Sequence, residues 1–334
     1  MKLDRLGWAA GIALVSHGAH IGVRVTDPSV LDRLDDFLPP GWRHARSPVV
    51  DNLYSLVVGG DGPRRGLRRY HLVYAGAALV TRTHDLAEAL QNLESLVHFQ
   101  VALSARSKLF VHAGVVGWRG RALVIPGRSR SGKSALVAEL VRAGATYYSD
   151  EYAIFDSLGR VHPYPKALSL RGEPGGRAAR QPIEAWGGQR GTKPLRVGLV
   201  VNTVYQRGAR WRPRMLTPGQ GLLTLLDNTV LARVRPEFAL ETLQQVVPGT
   251  ITLAGKRGEV DGLAPALLQR LEDSVDERRN GRLQAGRREN AHAAPGTAKQ
   301  LASPRTDGRA GGLRPGARRS AQLEPDRSLR PAPV

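Results

Sequence analysis

The stretch VIPGRSRSGKSALVAEL, residues 124–140, decides how this chain is read. Gly127, four further residues and then Gly132-Lys133-Ser134 make the pattern G-x-x-x-x-G-K-[ST]. An apolar run, ALVIP, leads into it. Leu136, Val137, Leu140 and Val141 follow at helical spacing, and Gly144 stands where a helix would end. Strand, glycine loop and amphipathic helix together are the context in which this pattern folds around phosphates. Glycines let backbone N–H groups turn toward anionic oxygens, and the helix adds its positive end. The Lys133 ammonium has the reach for β- and γ-phosphates, and the Ser134 hydroxyl suits Mg²⁺. ATP and Mg²⁺ are the expected cofactors. The expected phosphate-binding residues are Gly127, Arg128, Ser129, Arg130, Ser131, Gly132, Lys133, Ser134 and Ala135.

Working outward, LFVHAGVVGWRGRALVIPG predicts a hairpin, with strands at 109–117 and 121–126 joined by the WRGR turn. Downstream, ATYYS reads as a strand ending at Asp150-Glu151, with Asp150 lying 16 residues past Ser134. ATPases of the transporter and motor types place their acidic strand much further on, so this short spacing argues for a compact site. YAIFD and RVHPY predict a second hairpin, residues 172–193 a glycine-rich loop, RVGLVVNTVY (196–205) a strand, and TPGQGLLTLLDNTVL (217–231) a helix capped by Thr217.

The ordered set of His112, the glycine loop and Asp150-Glu151 resembles the catalytic core of HPr kinase/phosphorylase, which shares its fold with phosphoenolpyruvate carboxykinase. The match is carried by residues 109–156 and extends more weakly to about residue 270. The resemblance implies that His112 lies close to the phosphates. It implies that Asp150 acts as base on the acceptor hydroxyl and that Glu151, where the family usually has Asp, is associated with the metal together with Ser134. The segment that accompanies phosphorolysis in that family has no clear copy here; WRPR (211–214) is only faintly similar. A further arginine would stabilise transition-state charge; Arg171 and Arg207 are candidates.

The first 82 residues read as a β-rich region that does not match that family's N-terminal domain. GIALVSHGAHIGVRV predicts two strands around a turn, DPSVLDRLDDFLPPGW (27–42) one helix, and NLYSLVVGG and RRYHLVYAG further strands. Leu86, Leu90, Leu93, Val97 and Val101 put one apolar face on a long helix over 83–106, taken as the start of the nucleotide-binding domain at 83–275. Residues 276–334, rich in Arg, Pro, Gly and Ala, read as a disordered tail. The expected fold class is therefore α/β: an HPr kinase/phosphoenolpyruvate carboxykinase-like core, a β-rich N-terminal region and that tail.

Composition narrows the function classes. With no cysteine among 334 residues, disulfides, thiol catalysis and Cys-based metal sites are excluded. No apolar run approaches the ~20 residues of a membrane span, and the N-terminus lacks the pattern of a signal peptide, so a soluble cytoplasmic protein is expected. The net charge of +20 invites a nucleic-acid reading. Yet it is diffuse, and residues 278–334 alone hold 13 Lys/Arg against 4 Asp/Glu. A nucleic-acid partner is not expected; a protein or peptide acceptor is, with self-association left open. The expected activity is transfer of the ATP γ-phosphate to a Ser/Thr hydroxyl. A nucleotide sensor with weak ATPase activity and a small-molecule kinase are the alternatives.

Overall fold

The computed structural model describes residues 3–61, 68–127, 131–171, 178–259 and 262–274, and it has a mixed α/β architecture. The tail expected over 276–334 and the loop residues Arg128, Ser129 and Arg130 lie outside the described residues.

A first sheet begins with the hairpin β1 (Ala10–Ser16) and β2 (Ala19–Val25), where apolar residues on one face meet the core. The single helix expected over 27–42 is instead three short turns. These are a 3-10 turn at Pro28–Val30, α1 (Leu31–Leu34) and a second 3-10 turn at Asp35–Phe37. Asp27 caps the first, its carboxylate accepting from the Ser29 N–H. The turns follow one another without a break from Pro28 to Phe37, alternating 3-10 and α hydrogen bonding, and they stop before Pro39-Pro40 as expected. β3 (Arg43–His44), β4 (Asn52–Val57), a two-stranded ribbon of β5 (Gly60–Asp61) and β6 (Arg68–Arg69), β7 (His71–Ala75) and β8 (Ala78–Thr83) follow. The sheet order is β3-β1-β2-β4-β7-β8, antiparallel except for the β2–β4 pair. α2 (Leu86–Ser104) is capped by Asp85. Its buried Leu90, Leu93, Val97 and Val101 join the core of this first sheet.

The second sheet is organised by β9 (Leu109–Trp118). One edge of β9 pairs with β10 (Arg121–Pro126), giving the expected hairpin. Its other edge pairs successively with β12 (Tyr152–Phe155) and β11 (Thr146–Ser149). α3 (Lys133–Arg142) connects β10 to β11, and β13 (Arg160–His162) pairs with β12. β14 (Leu168–Arg171) pairs with β15 (Ala178–Gln181), which lies inside the 172–193 segment expected to be loop, as does the 3-10 turn at Ile183–Trp186. β16 (Leu195–Tyr205) runs parallel to β10 on one side and to β18 (Ile251–Arg257) on the other. Between them lie β17 (Arg214–Met215), α4 (Pro218–Leu226) and α5 (Pro236–Val246). A last helix, α6, covers residues 263–274.

Three features of this arrangement position the site. The glycine loop leaves β10 at the C-terminal edge of the parallel strands β10, β16 and β18, the edge at which α/β sheets bind ligands. α3 then lies hard against β9: a Cβ on Gly114 would come within 2.6 Å of Val137 Cγ2. Leu136, Val137 and Leu140 are wholly buried among Val116, Leu123, Ile125 and the α6 residues Leu267 and Leu271. Burial on that scale is worth about 2 kcal/mol per side chain and fixes the helix whose first turn carries Lys133 and Ser134. Finally, one hydrophobic cluster holds the first sheet, α2, the second-sheet residues Phe110, Tyr152 and Ile154, and Tyr164 from the connection after β13. The N-terminal sheet therefore shares a core with the strands that carry the acidic pair. Among the described residues no helix is long and apolar enough to cross a membrane.

Candidate active site

Gly132 ends the glycine loop as the N-cap of α3, at φ +80°. A side chain there would be strained, and its Cβ would lie 2.4 Å from Arg257 Nη2. Glycine lets that guanidinium close on the loop, donating to the Gly132 carbonyl at 2.9 Å and to the Gly258 carbonyl at 3.2 Å. At the loop's other end the Gly127 N–H donates to the His112 carbonyl at 3.0 Å. One strand residue beyond, the Ala113 N–H donates to the Glu151 carbonyl at 3.1 Å. β9 thus anchors both the start of the glycine loop and the acidic turn.

The structure brings Ser134 and Asp150 into contact: the Ser134 hydroxyl donates to Asp150 Oδ2 at 2.9 Å. Tyr147 OH lies 3.0 Å from Asp150 Oδ1 and equally close to the Lys166 carbonyl. Asp150 is buried, at 7% exposure. Burial and the neighbouring Glu151 charge raise its carboxyl pKa, against the pull of Lys166 and the hydrogen bonds from Ser134 and Tyr147. Lys133 is buried at the start of α3. Burial lowers its ammonium pKa while Asp150 and Glu151 oppose the shift. His112 sits opposite Tyr152 in the β9–β12 register, with ring centroids 4.8 Å apart. Burial lowers its pKa; Glu151 opposes and Lys133 adds to the effect, so both charges reach the imidazole. Ser131 Oγ is buried without a hydrogen-bond partner among the described residues.

Glu151 is held differently from Asp150. Its carboxylate pairs with the Lys166 ammonium, and His98 Nδ1 lies 3.9 Å away. Burial alone would raise the Glu151 carboxyl, but the Lys166 ammonium, foremost among its neighbours, holds it below the usual carboxylate range. Lys166 also pairs with Glu94 Oε1 at 3.4 Å, and Arg180 grips both Glu94 oxygens at 3.0 Å. Arg180 reaches on to the Asp36 carbonyl and stacks over Phe37, at 4.3 Å. His98, on α2, contacts the Phe37 carbonyl through Nε2 and Tyr164 OH through Nδ1, at 3.2 and 2.9 Å. These contacts fit an Nε2–H tautomer that donates to the carbonyl and leaves Nδ1 to accept. Burial lowers the His98 pKa to about 4 and keeps the ring neutral. A network of α2, β12, the 165–167 connection and β15 thus surrounds the second acid.

Lys166, Glu94, His98, Tyr147, Arg180 and Arg257 carry no sequence signal that links them to the glycine loop; they meet it only through the fold. Of the two arginines singled out from sequence, Arg207 is exposed and makes no ion pair among the described residues. Only the backbone of Arg171 is described, in β14. The buried guanidinium beside the loop belongs to Arg257, at 3% exposure.

The donor set suits a hard divalent cation. Ser134 Oγ and the Asp150 carboxylate are oxygen donors in contact at the first turn of α3, and Glu151, next in sequence, carries a further carboxylate engaged by Lys166. No group of three or more His, Asp or Glu among the described residues forms a metal site by itself. An ion here would draw its remaining ligands from nucleotide phosphates and water, as Mg²⁺ does.

No family model matches this chain, and no curated protein matches it. Among solved structures the chain is similar to the HPr(Ser) kinase/phosphatase from Coxiella burnetii. The identity is 13% and the TM-score 0.28, over 55% of this chain and 96% of that one.

Proposed function

We propose that this chain is an ATP- and Mg²⁺-dependent kinase that transfers the γ-phosphate to a Ser/Thr hydroxyl of a protein or peptide. The observation that carries the proposal is the Ser134–Asp150 contact: a buried carboxylate of raised pKa against the first turn of a phosphate-loop helix. The loop amides, the α3 N-terminus and Lys133 hold the β- and γ-phosphates. Ser134, with Glu151 and Asp150 at hand, holds the ion, which when bound neutralises charge on those phosphates. Asp150 accepts the proton of the acceptor hydroxyl, whose oxygen bonds to the γ-phosphorus as the bridging P–O bond to ADP breaks. A base needs a pKa nearer the working pH than an ordinary aspartate has, and burial moves Asp150 in that direction. Glu151, fixed by Lys166 and His98, stays anionic beside it. His112 feels the charges of Lys133 and Glu151, which supports a role for it beside the bound phosphates. The order of His112, glycine loop and acidic pair along the sequence, which resembles the HPr kinase/phosphorylase core, supports the same assignment; phosphorolysis is not part of it.

The test follows γ-labelled ATP with Mg²⁺ in lysate of the native host, comparing wild type with Lys133→Ala and Asp150→Asn. The proposal expects label in a discrete protein or peptide, absent with both variants. Label recovered only as free phosphate would make the protein an ATPase, and nucleotide bound but never consumed would make it a sensor.

A further inference from the structure

A cleft of about 530 Å³ is lined by Lys166, the ion-pair partner of the second acid, and is walled in part by the N-terminal region. Its floor is Lys166 and Arg180. One wall is the turn from Phe37 to Trp42, including Pro39-Pro40; the other includes Pro165 and Pro182. Lys166 is the link to the chemistry. Its ammonium pairs with Glu151, and its carbonyl lies 3.0 Å from the Tyr147 OH, which also reaches Asp150. Anything seated in the cleft therefore touches Lys166, the cation that holds the second acid.

Resting on the kinase assignment above, we propose that this cleft is the acceptor subsite and that it seats an extended polypeptide with a basic residue near the accepting hydroxyl. Two observations choose this occupant. The floor has no net charge to offer an anionic metabolite, because the cations Lys166 and Arg180 are matched by Glu94 and Glu151. The walls carry aromatic rings, Phe37 and Trp42, among prolines, and aromatic-lined grooves are the surfaces that read extended chains. Charge at the mouth then sets the preference. Asp35 and Asp36 line it, are exposed, and make no ion pair among the described residues. Arg190, also at the rim, is engaged by Glu184. In a chain of net charge +20, the entrance to this cleft is acidic. The subsite gives the N-terminal region a role: its 35–42 turn, tied down by Arg180 and His98, forms the wall of the acceptor site.

The test is an array of synthetic peptides, each with one Ser or Thr, flanked by Lys/Arg, by Asp/Glu or by uncharged residues, and assayed with γ-labelled ATP and Mg²⁺. The wild-type chain is compared with Asp35→Asn/Asp36→Asn and with Trp42→Ala. Wild type should favour basic-flanked peptides by about fivefold or more, the worth of one or two exposed charge pairs. The double Asn variant should lose that preference while binding ATP as before. Trp42→Ala should raise the peptide KM about tenfold with the ATP KM unchanged. The Asp residues are exposed, so the double variant tests the proposal even if Trp42→Ala fails to fold. Label transfer by wild type with the same peptide preference and KM in both variants would overturn the subsite and leave the kinase assignment standing. ATP bound or hydrolysed with no peptide labelled would overturn the polypeptide-acceptor assignment and the subsite with it.

Discussion

Replacing Lys166 by Met removes the cation that neutralises both Glu151 and Glu94. The Lys166 side chain is 16% exposed, and its partners are 23% and 8% exposed, so neither bridge is fully in water nor fully dry. Glu94 keeps its two bonds from Arg180. Among the described residues Glu151 then keeps no ion pair with a cation: His98 lies at 3.9 Å but is held neutral by burial, and Lys133 acts on it only through space. Stripping one partner from a buried pair costs about 3–5 kcal/mol; partial exposure of Glu151 places this case near the lower end, at about 3 kcal/mol. Urea unfolding should show that loss as a lower midpoint at constant slope. In a double-mutant cycle, Glu151→Gln removes the stranded anion. The double variant should therefore be more stable than the sum of the single losses allows, by about 1 kcal/mol or more. A loss below about 0.5 kcal/mol for Lys166→Met, additive with Glu151→Gln, would refute the claim that this lysine holds the second acid.

Gly132→Ala should weaken ATP binding about tenfold or more and cost about 1–2 kcal/mol of stability, because the new Cβ meets Arg257 in a left-handed backbone conformation; calorimetric titration and thermal unfolding check both. Acid should destabilise the protein in two steps. The unfolded chain takes up a proton on His98 as pH falls from 6.5 toward about 4, whereas the folded chain resists it, so that stability is present above pH 6.5 and lost on the way down. For Asp156, burial works against the charged form. Hydrogen bonds from His162, Arg160 and Leu158 prevail and hold it at about 2, so its share, about 2 kcal/mol, is present above pH 4 and lost as pH falls toward 2. Asp156→Asn should flatten that second step in a pH series of denaturation curves.

The hairpin before the glycine motif, α3 and the strand ending at Asp150 were legible because their signals are local: strand patterning, helical periodicity and glycine punctuation. What surrounds Glu151 was not. Glu94 and Lys166 are 72 residues apart and Glu94 and Arg180 are 86, and no pattern within any one segment pairs them. Nothing in HPYPKALSL distinguishes Lys166 from a surface lysine. Arg257 was hidden for the same reason: its contact with Gly132 spans 125 residues. In the 27–42 segment Asp27, Pro28 and the apolar spacing of Val30 and Leu34 do start helical turns, and nothing local in the sequence separates one α-helix from the alternating 3-10 and α turns that form. By contrast, α6 carries Leu263, Leu267, Leu268 and Leu271 at helical spacing, a signal present in the sequence and left unread.

The account stands on a site assembled to pass a phosphate on through Asp150 rather than merely to hold a nucleotide. One comparison addresses that directly: ATP affinity and single-turnover transfer rate, measured in parallel for wild type and Asp150→Asn with the acceptor recovered from host lysate. The expected result is affinity within about twofold and a transfer rate at least ~100-fold lower, the scale of a lost general base. Equal transfer rates in the two proteins would contradict the account.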